Sequence, residues 1–98
     1  MSDRELLELA YRAMTDGASL SADRDMSRFW NPLEDDGDRY RLARKLKGNL
    51  YFSGAYGVFE IPSGSDEPPI VEKFKLGDPR EEAYAIVCAA AEIGKEQQ

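Results

Sequence analysis

The sequence predicts an α+β fold: a three-stranded antiparallel sheet with helices packed on one face, in the order α-α-β-β-β-α. Three observations predict it. Apolar residues recur at helical spacing behind capping residues near both ends of the chain. Aromatic and β-branched residues cluster between 49 and 61 around one glycine turn, and residues 70–76 alternate apolar with charged. The 98 residues are expected to form a single domain. Within it, 1–17 is an N-terminal helix, 18–29 a flexible connection, and 30–98 a helix–three-strand–helix unit.

Ser2-Asp3-Arg4-Glu5 has the form of a capping box, in which the Ser2 hydroxyl accepts from the Glu5 amide and Glu5 reaches back. Leu6, Leu9, Ala10, Ala13 and Met14 follow on one helical face, with Gly17 as the stop. Residues 18–29 are polar, anchored only by Leu20 and Met26, and long for a loop, which suits a tether or a functional surface loop. The second helix is expected to start within 33–38 and end at Lys47, with Gly48 in the C-cap position. Leu42, Ala43 and Leu46 form its inner stripe, and Arg41, Arg44 and Lys45 project from the other side. Acids at its start and bases at its end complement the helix dipole without any ligand.

Residues 49–52 and 56–61 read as the arms of a hairpin, with Gly54 supplying the positive φ of the turn. Residues 62–69 are a loop by composition. A third strand is expected over 70–76, with Ile70, Phe74 and Leu76 on one face and Lys73 and Lys75 on the other. Asp78-Pro79-Arg80-Glu81 opens the last helix as cap, first-turn proline and a glutamate three residues after the cap. Its core face is Ala83, Ile86, Val87, Ala90 and Ile93. The opposite face, chiefly Ala85, Cys88, Ala89 and Ala91, is small enough to admit helix one or a second subunit.

The composition excludes several function classes. A formal charge of −6, from nineteen acids and thirteen bases, disfavours nonspecific binding to nucleic acid or anionic membrane. One cysteine, Cys88, cannot form an internal disulfide, and among alanines in mid-helix it is expected to be an inert buried thiol. The opening residues lack a signal-type apolar stretch, and the run Ala83–Ala91 is too short to span a bilayer, so a cytoplasmic home is expected. The chain has no histidine, which removes the commonest general base, the commonest metal ligand and every Ser-His or Cys-His pair. No phosphate-binding or dinucleotide-binding glycine pattern occurs. Neither a catalytic residue nor a cofactor site is expected.

The acid cluster Glu34-Asp35-Asp36-Gly37-Asp38 lacks the spacing and the later glutamate of a calcium loop, so no metal is expected there. It reads as helix-start acids or as an acidic patch for a basic partner. The hairpin aromatics Tyr51, Phe52, Tyr56 and Phe59 alternate between the two sheet faces, so two of them are expected together on the helix-free face. From residue 35 onward the element order resembles the double-stranded RNA-binding domain. In that module, however, the start of the last helix is lysine-rich, and here Asp78-Pro79-Arg80-Glu81-Glu82 would repel phosphate.

The segment Trp30-Asn31-Pro32-Leu33-x-Asp35-Asp36-Gly37-Asp38, followed by Arg41-Leu42-Ala43-x-Lys45-Leu46, resembles a signature of small phage and prophage proteins. The opening Asp3–Ala10 and the closing Ala89–Gly94 are similar to those proteins too. The resemblance implies a phage-encoded accessory protein acting in the bacterial cytoplasm, and it supplies no catalytic residues. The expected function is therefore non-enzymatic: binding a host protein complex through an acidic and aromatic surface, in the manner of an anti-defence (anti-CRISPR-like) protein or an inhibitor of nucleic-acid handling. The expected partner-binding residues are Trp30, Asp35, Asp36, Asp38, Tyr51 and Tyr56, on a monomer or homodimer. The alternative is a weak nucleic-acid-binding module using Arg41, Arg44, Lys45 and the strand aromatics.

Overall fold

The computed structural model describes residues 2–15, 30–62 and 68–96. The expected connection over 18–29, the Gly17 stop and most of the 62–69 loop lie outside the described residues. The fold is α+β, with the elements α1 (Asp3–Met14), α2 (Asp36–Lys45), β1 (Asn49–Ser53), β2 (Tyr56–Ile61), β3 (Ile70–Lys75) and α3 (Pro79–Glu96). The strands form one antiparallel sheet in the order β1-β2-β3.

Local chemistry sets the helix ends. Ser2 accepts from the Glu5 amide at 3.2 Å, and its hydroxyl in turn donates to the Glu5 carboxylate at 3.1 Å. The far end of α1 closes on Thr15, whose amide and hydroxyl both donate to the Tyr11 carbonyl. Asp35 caps α2 by accepting from the Asp38 amide at 2.9 Å. At the C-terminus of α2, the Gly48 amide donates to the Ala43 carbonyl and the Lys47 amide to that of Arg44, which is a Schellman closure. The helix ends two residues before the expected Lys47, and the left-handed residue is Lys47 (φ 58°), not Gly48. Gly48 answers a different demand: a Cβ there would fall inside the Phe59 ring. Replacing Lys47 with glycine, which takes positive φ without the Cβ clash, is expected to stabilise the fold by about 1 kcal/mol. The urea midpoint of the variant checks this, and no rise would contradict it.

The hairpin turns on Gly54 (φ 61°) and Ala55, so only the first central residue has positive φ, the pattern of a type II′ turn. On the helix side of the sheet the register aligns Leu50, Phe59 and Glu72 in one row and Phe52, Gly57 and Phe74 in the next. Gly57 leaves room for the Phe74 ring, which reaches across it to meet Phe52 edge-on at 6.5 Å. α3 covers β2 and β3 but not β1. Gly57, Phe59 and Ile61 are accordingly buried, whereas all five residues of β1 are exposed.

α3 is the centre of the molecule. One side lies on the sheet, α1 packs along another, and α2 also touches it. This is why Ala83, Ala85, Ile86, Val87, Ala89, Ala90 and Ala91 are all buried. Two residues of the expected small-residue face, Ala85 and Cys88, turn toward β3 instead, and α1 packs along the side of α3 that carries Gly94. The helices meet closely enough that a Cβ at Gly94 would strike the Leu9 backbone. Asp78 caps α3 through the Arg80 amide at 2.9 Å. Glu81 does not reach back to the cap; it accepts from the Lys75 amide at 3.0 Å, pinning the end of β3 to the helix.

Candidate functional site

The Trp30–Asp38 segment folds back on itself. Its proline turn is held by the Asn31 carbonyl, which accepts from the Glu34 and Asp35 amides, and by the Asn31 side chain, which accepts from the Leu33 amide at 3.1 Å. Asp38, in the first turn of α2, reaches back to the Asn31 amide at 2.9 Å and takes a 2.8 Å bond from Arg41 with its other oxygen. Arg39 bridges from the Asp36 carboxylate to the Pro32 and Leu33 carbonyls. Trp30 meets Tyr11 of α1 edge-on at 5.4 Å, which docks the segment on the first helix. The signature is thus a self-satisfied clasp between the α2 N-terminus and α1.

This geometry corrects part of the expected binding surface. Trp30 is only 4% exposed and Asp38 only 7%, so neither offers area or charge to a partner. The ring is spent in the core and the carboxylate on capping. Asp35 and Asp36 are exposed, but one caps the helix and the other pairs with Arg39 at 2.7 Å. Of the expected cations, Arg41 is held by Asp38, while Arg44 and Lys45 remain exposed on α2.

Tyr51 and Tyr56 do come together. Gly57, Phe59 and Ile61 mark the helix side of β2, so Tyr56, Val58 and Glu60 point the opposite way. The register then sets two rows on the helix-free face, Tyr51–Val58–Lys73 and Ser53–Tyr56–Lys75. The tyrosines are diagonal neighbours, 51% and 60% exposed, within mutual reach of long side chains. Asp36 instead lines a cleft of about 430 Å³ with Asp3, Leu7, Arg39, Arg80 and Tyr84, where the Tyr84 hydroxyl donates to Asp3 and ties α3 to α1. That bond, above all, pushes the Tyr84 phenol up. The acidic and aromatic halves of the expected surface therefore lie in different places.

Sequence reasoning gave no binding role to five contributors to the exposed sheet. Leu50, Phe52 and Val71 are large apolar side chains left open, and Lys73 and Lys75 stand beside the tyrosines as the only bases of the three strands. Strand alternation foretold which face each side chain takes. What it lacked was the sheet order and the position of α3, which decide what is covered.

An open cleft of about 640 Å³ separates β3 from α3 and is lined by Glu72, Phe74, Arg80, Tyr84, Ala85 and Cys88. Glu72 sits on the helix side of the sheet, where burial, and after it the charge of Glu92, pushes its carboxyl above the usual carboxylate range. Cys88 is half-buried here instead of fully enclosed, and burial, then Glu72 and Glu92, hold its thiol up against the opposing pull of Lys95. A raised thiol is a poor nucleophile at neutral pH. For Glu72 the sign follows from proton binding. The folded state holds the proton more tightly than the unfolded state, so ionisation opposes folding once pH exceeds the folded pKa. The penalty vanishes below the unfolded value. Glu72→Gln is therefore expected to raise the urea midpoint at neutral pH, with the gain disappearing in the acid range. An equal gain at both pH values would contradict the desolvated carboxylate.

Among the described residues no three histidine, cysteine, aspartate or glutamate side chains converge to hold a metal ion, and no helix is long and apolar enough to cross a membrane. No family model, curated protein or solved structure matches the chain.

Proposed function

We propose that this chain is a non-enzymatic accessory protein of the phage type that binds a host protein complex through the helix-free face of its sheet. The observation that carries this is the pair of aligned rows, Tyr51–Val58–Lys73 and Ser53–Tyr56–Lys75, on a face that none of the described helices covers. Tyrosine offers large contact area at low entropic cost, and such residues dominate interface energetics when they are desolvated. The absence of histidine from the sequence and a raised Cys88 thiol both count against bond-breaking chemistry. Asp35 and Asp36 add negative charge elsewhere on the molecule, away from this face. A host target in defence or nucleic-acid handling, and a cytoplasmic site of action, rest on the sequence resemblance.

The same rows favour a second function. Two tyrosines and two lysines on an open sheet make a stacking platform for single-stranded nucleic acid, better placed than Arg41, Arg44 and Lys45 on α2. The net charge of −6 works against it.

Purified protein titrated against reconstituted host defence and transcription complexes separates these cases. Tyr51→Ser/Tyr56→Ser is expected to weaken capture at least tenfold, and Asp35→Asn/Asp36→Asn less than threefold. The reverse order would move the binding surface to the acidic residues. A gel shift with single-stranded oligonucleotide, steep in salt and lost on Lys73→Glu/Lys75→Glu, would replace the protein-binding function with the nucleic-acid one.

A further inference from the structure

The two edges of the sheet are unequal. At β3, Lys73 and Lys75 are exposed, Pro68 and Pro69 precede the strand, and Glu81 already occupies the Lys75 amide. Those are devices that blunt an edge against pairing. β1 has none of them. Asn49-Leu50-Tyr51-Phe52-Ser53 contains no charge, proline or glycine, and every residue of it is exposed.

The direction of its backbone groups follows from the register. The Lys75 amide points away from β2, toward Glu81, while the Leu76 amide donates to the Ala55 carbonyl. Alternation then turns the peptide groups of Tyr56, Val58 and Glu60 toward β1, where they meet Ser53, Tyr51 and Asn49. Leu50 and Phe52 are left with their N–H and C=O groups facing outward along the free edge. Their side chains lie on the helix side of the sheet but beyond the reach of α3, at 41% and 62% exposure.

We propose that two copies of this chain pair antiparallel through β1, about a twofold axis at Tyr51, to form one six-stranded sheet. In that register Leu50 lies opposite Phe52 of the second copy and exchanges both backbone hydrogen bonds with it, and the symmetry repeats the exchange. Four backbone bonds close the edge. The same pairing sets leucine directly against phenylalanine on the helix side, covering the two side chains that α3 leaves open. Tyr51 meets its own copy on the other face. The strand is neutral in a chain of net charge −6, so this edge approaches a second copy without like-charge contact across the axis, whereas β3 would oppose lysines. A contact one strand wide falls below the roughly 1,200–2,000 Å² of a standard interface, so a weak Kd, micromolar or above, is expected. The pairing stands independently of the host-partner function, and it would join the tyrosine rows of both copies into one face.

Sedimentation velocity across a concentration series, from well below to well above that Kd, tests it. The unaltered chain is expected to shift from monomer to dimer. Tyr51→Lys sets two lysines opposite each other at the axis, and Leu50→Lys removes one apolar pair per half. Each is expected to weaken association at least tenfold while circular dichroism stays unchanged. Lys73→Glu/Lys75→Glu is expected to associate as the unaltered chain does. A monomer at every concentration, association undiminished in both β1 variants, or association lost only on changing β3 would overturn the proposal.

Discussion

Replacing Phe59 with alanine is expected to cost about 3–5 kcal/mol, the range for deleting a fully enclosed aromatic ring. Phe59 has no exposed surface; it stands between Leu50 and Glu72 in the sheet, and its ring lies over the Gly48 backbone. A domain of this size has about 5–15 kcal/mol of total stability, so the variant would sit close to unfolding at room temperature. The same contact can be spoiled from the other side. Gly48→Ala drives a methyl group into the ring and is expected to cost about 1–3 kcal/mol. Because the two changes share one space, Gly48→Ala combined with Phe59→Leu should cost less than the two singles added together. Urea unfolding of the four proteins checks both magnitude and sign, and strict additivity would show that ring and glycine are not in contact.

Asp38→Ala is expected to cost about 2–3 kcal/mol. The change orphans the Asn31 amide, which at a part-buried site costs about 1–3 kcal/mol, and it removes a helix-start charge worth about 0.3–1 kcal/mol. The Arg41 pair adds little, since that guanidinium is well exposed. Asp36→Ala, two residues away with its side chain 91% exposed, is expected to cost under about 1 kcal/mol. Two aspartates of one cluster should therefore separate clearly in the same unfolding series. Equal losses would return Asp38 to the surface.

Much of the fold was legible because its rules are local. Ser2, Asp35 and Asp78 start helices as capping residues do, Gly54 makes the turn, and the alternation of 70–76 marks a strand. Roles that depend on packing were not legible. Nothing near Gly48 in sequence announces that Phe59 needs its space, and the left-handed position fell to Lys47, a residue no propensity would choose. Trp30 and Asp38 look like contact residues in a list of letters. They become core and cap only when residue 31 meets residue 38 and α1 arrives beside them. The candidate surface was half legible for the same reason. Period-two alternation put Tyr51 and Tyr56 on one face, but leaving Leu50 and Phe52 open required knowing that α3 stops short of β1.

The inward-facing signature is open to one direct measurement, because the chain has a single tryptophan. Acrylamide and iodide quenching of Trp30 fluorescence should find a blue-shifted, poorly quenched indole. It should become accessible in Asp38→Ala and stay protected in Tyr51→Ser/Tyr56→Ser. Red-shifted emission, freely quenched in the unaltered protein, would place Trp30 on the outside and make the clasp a contact surface after all.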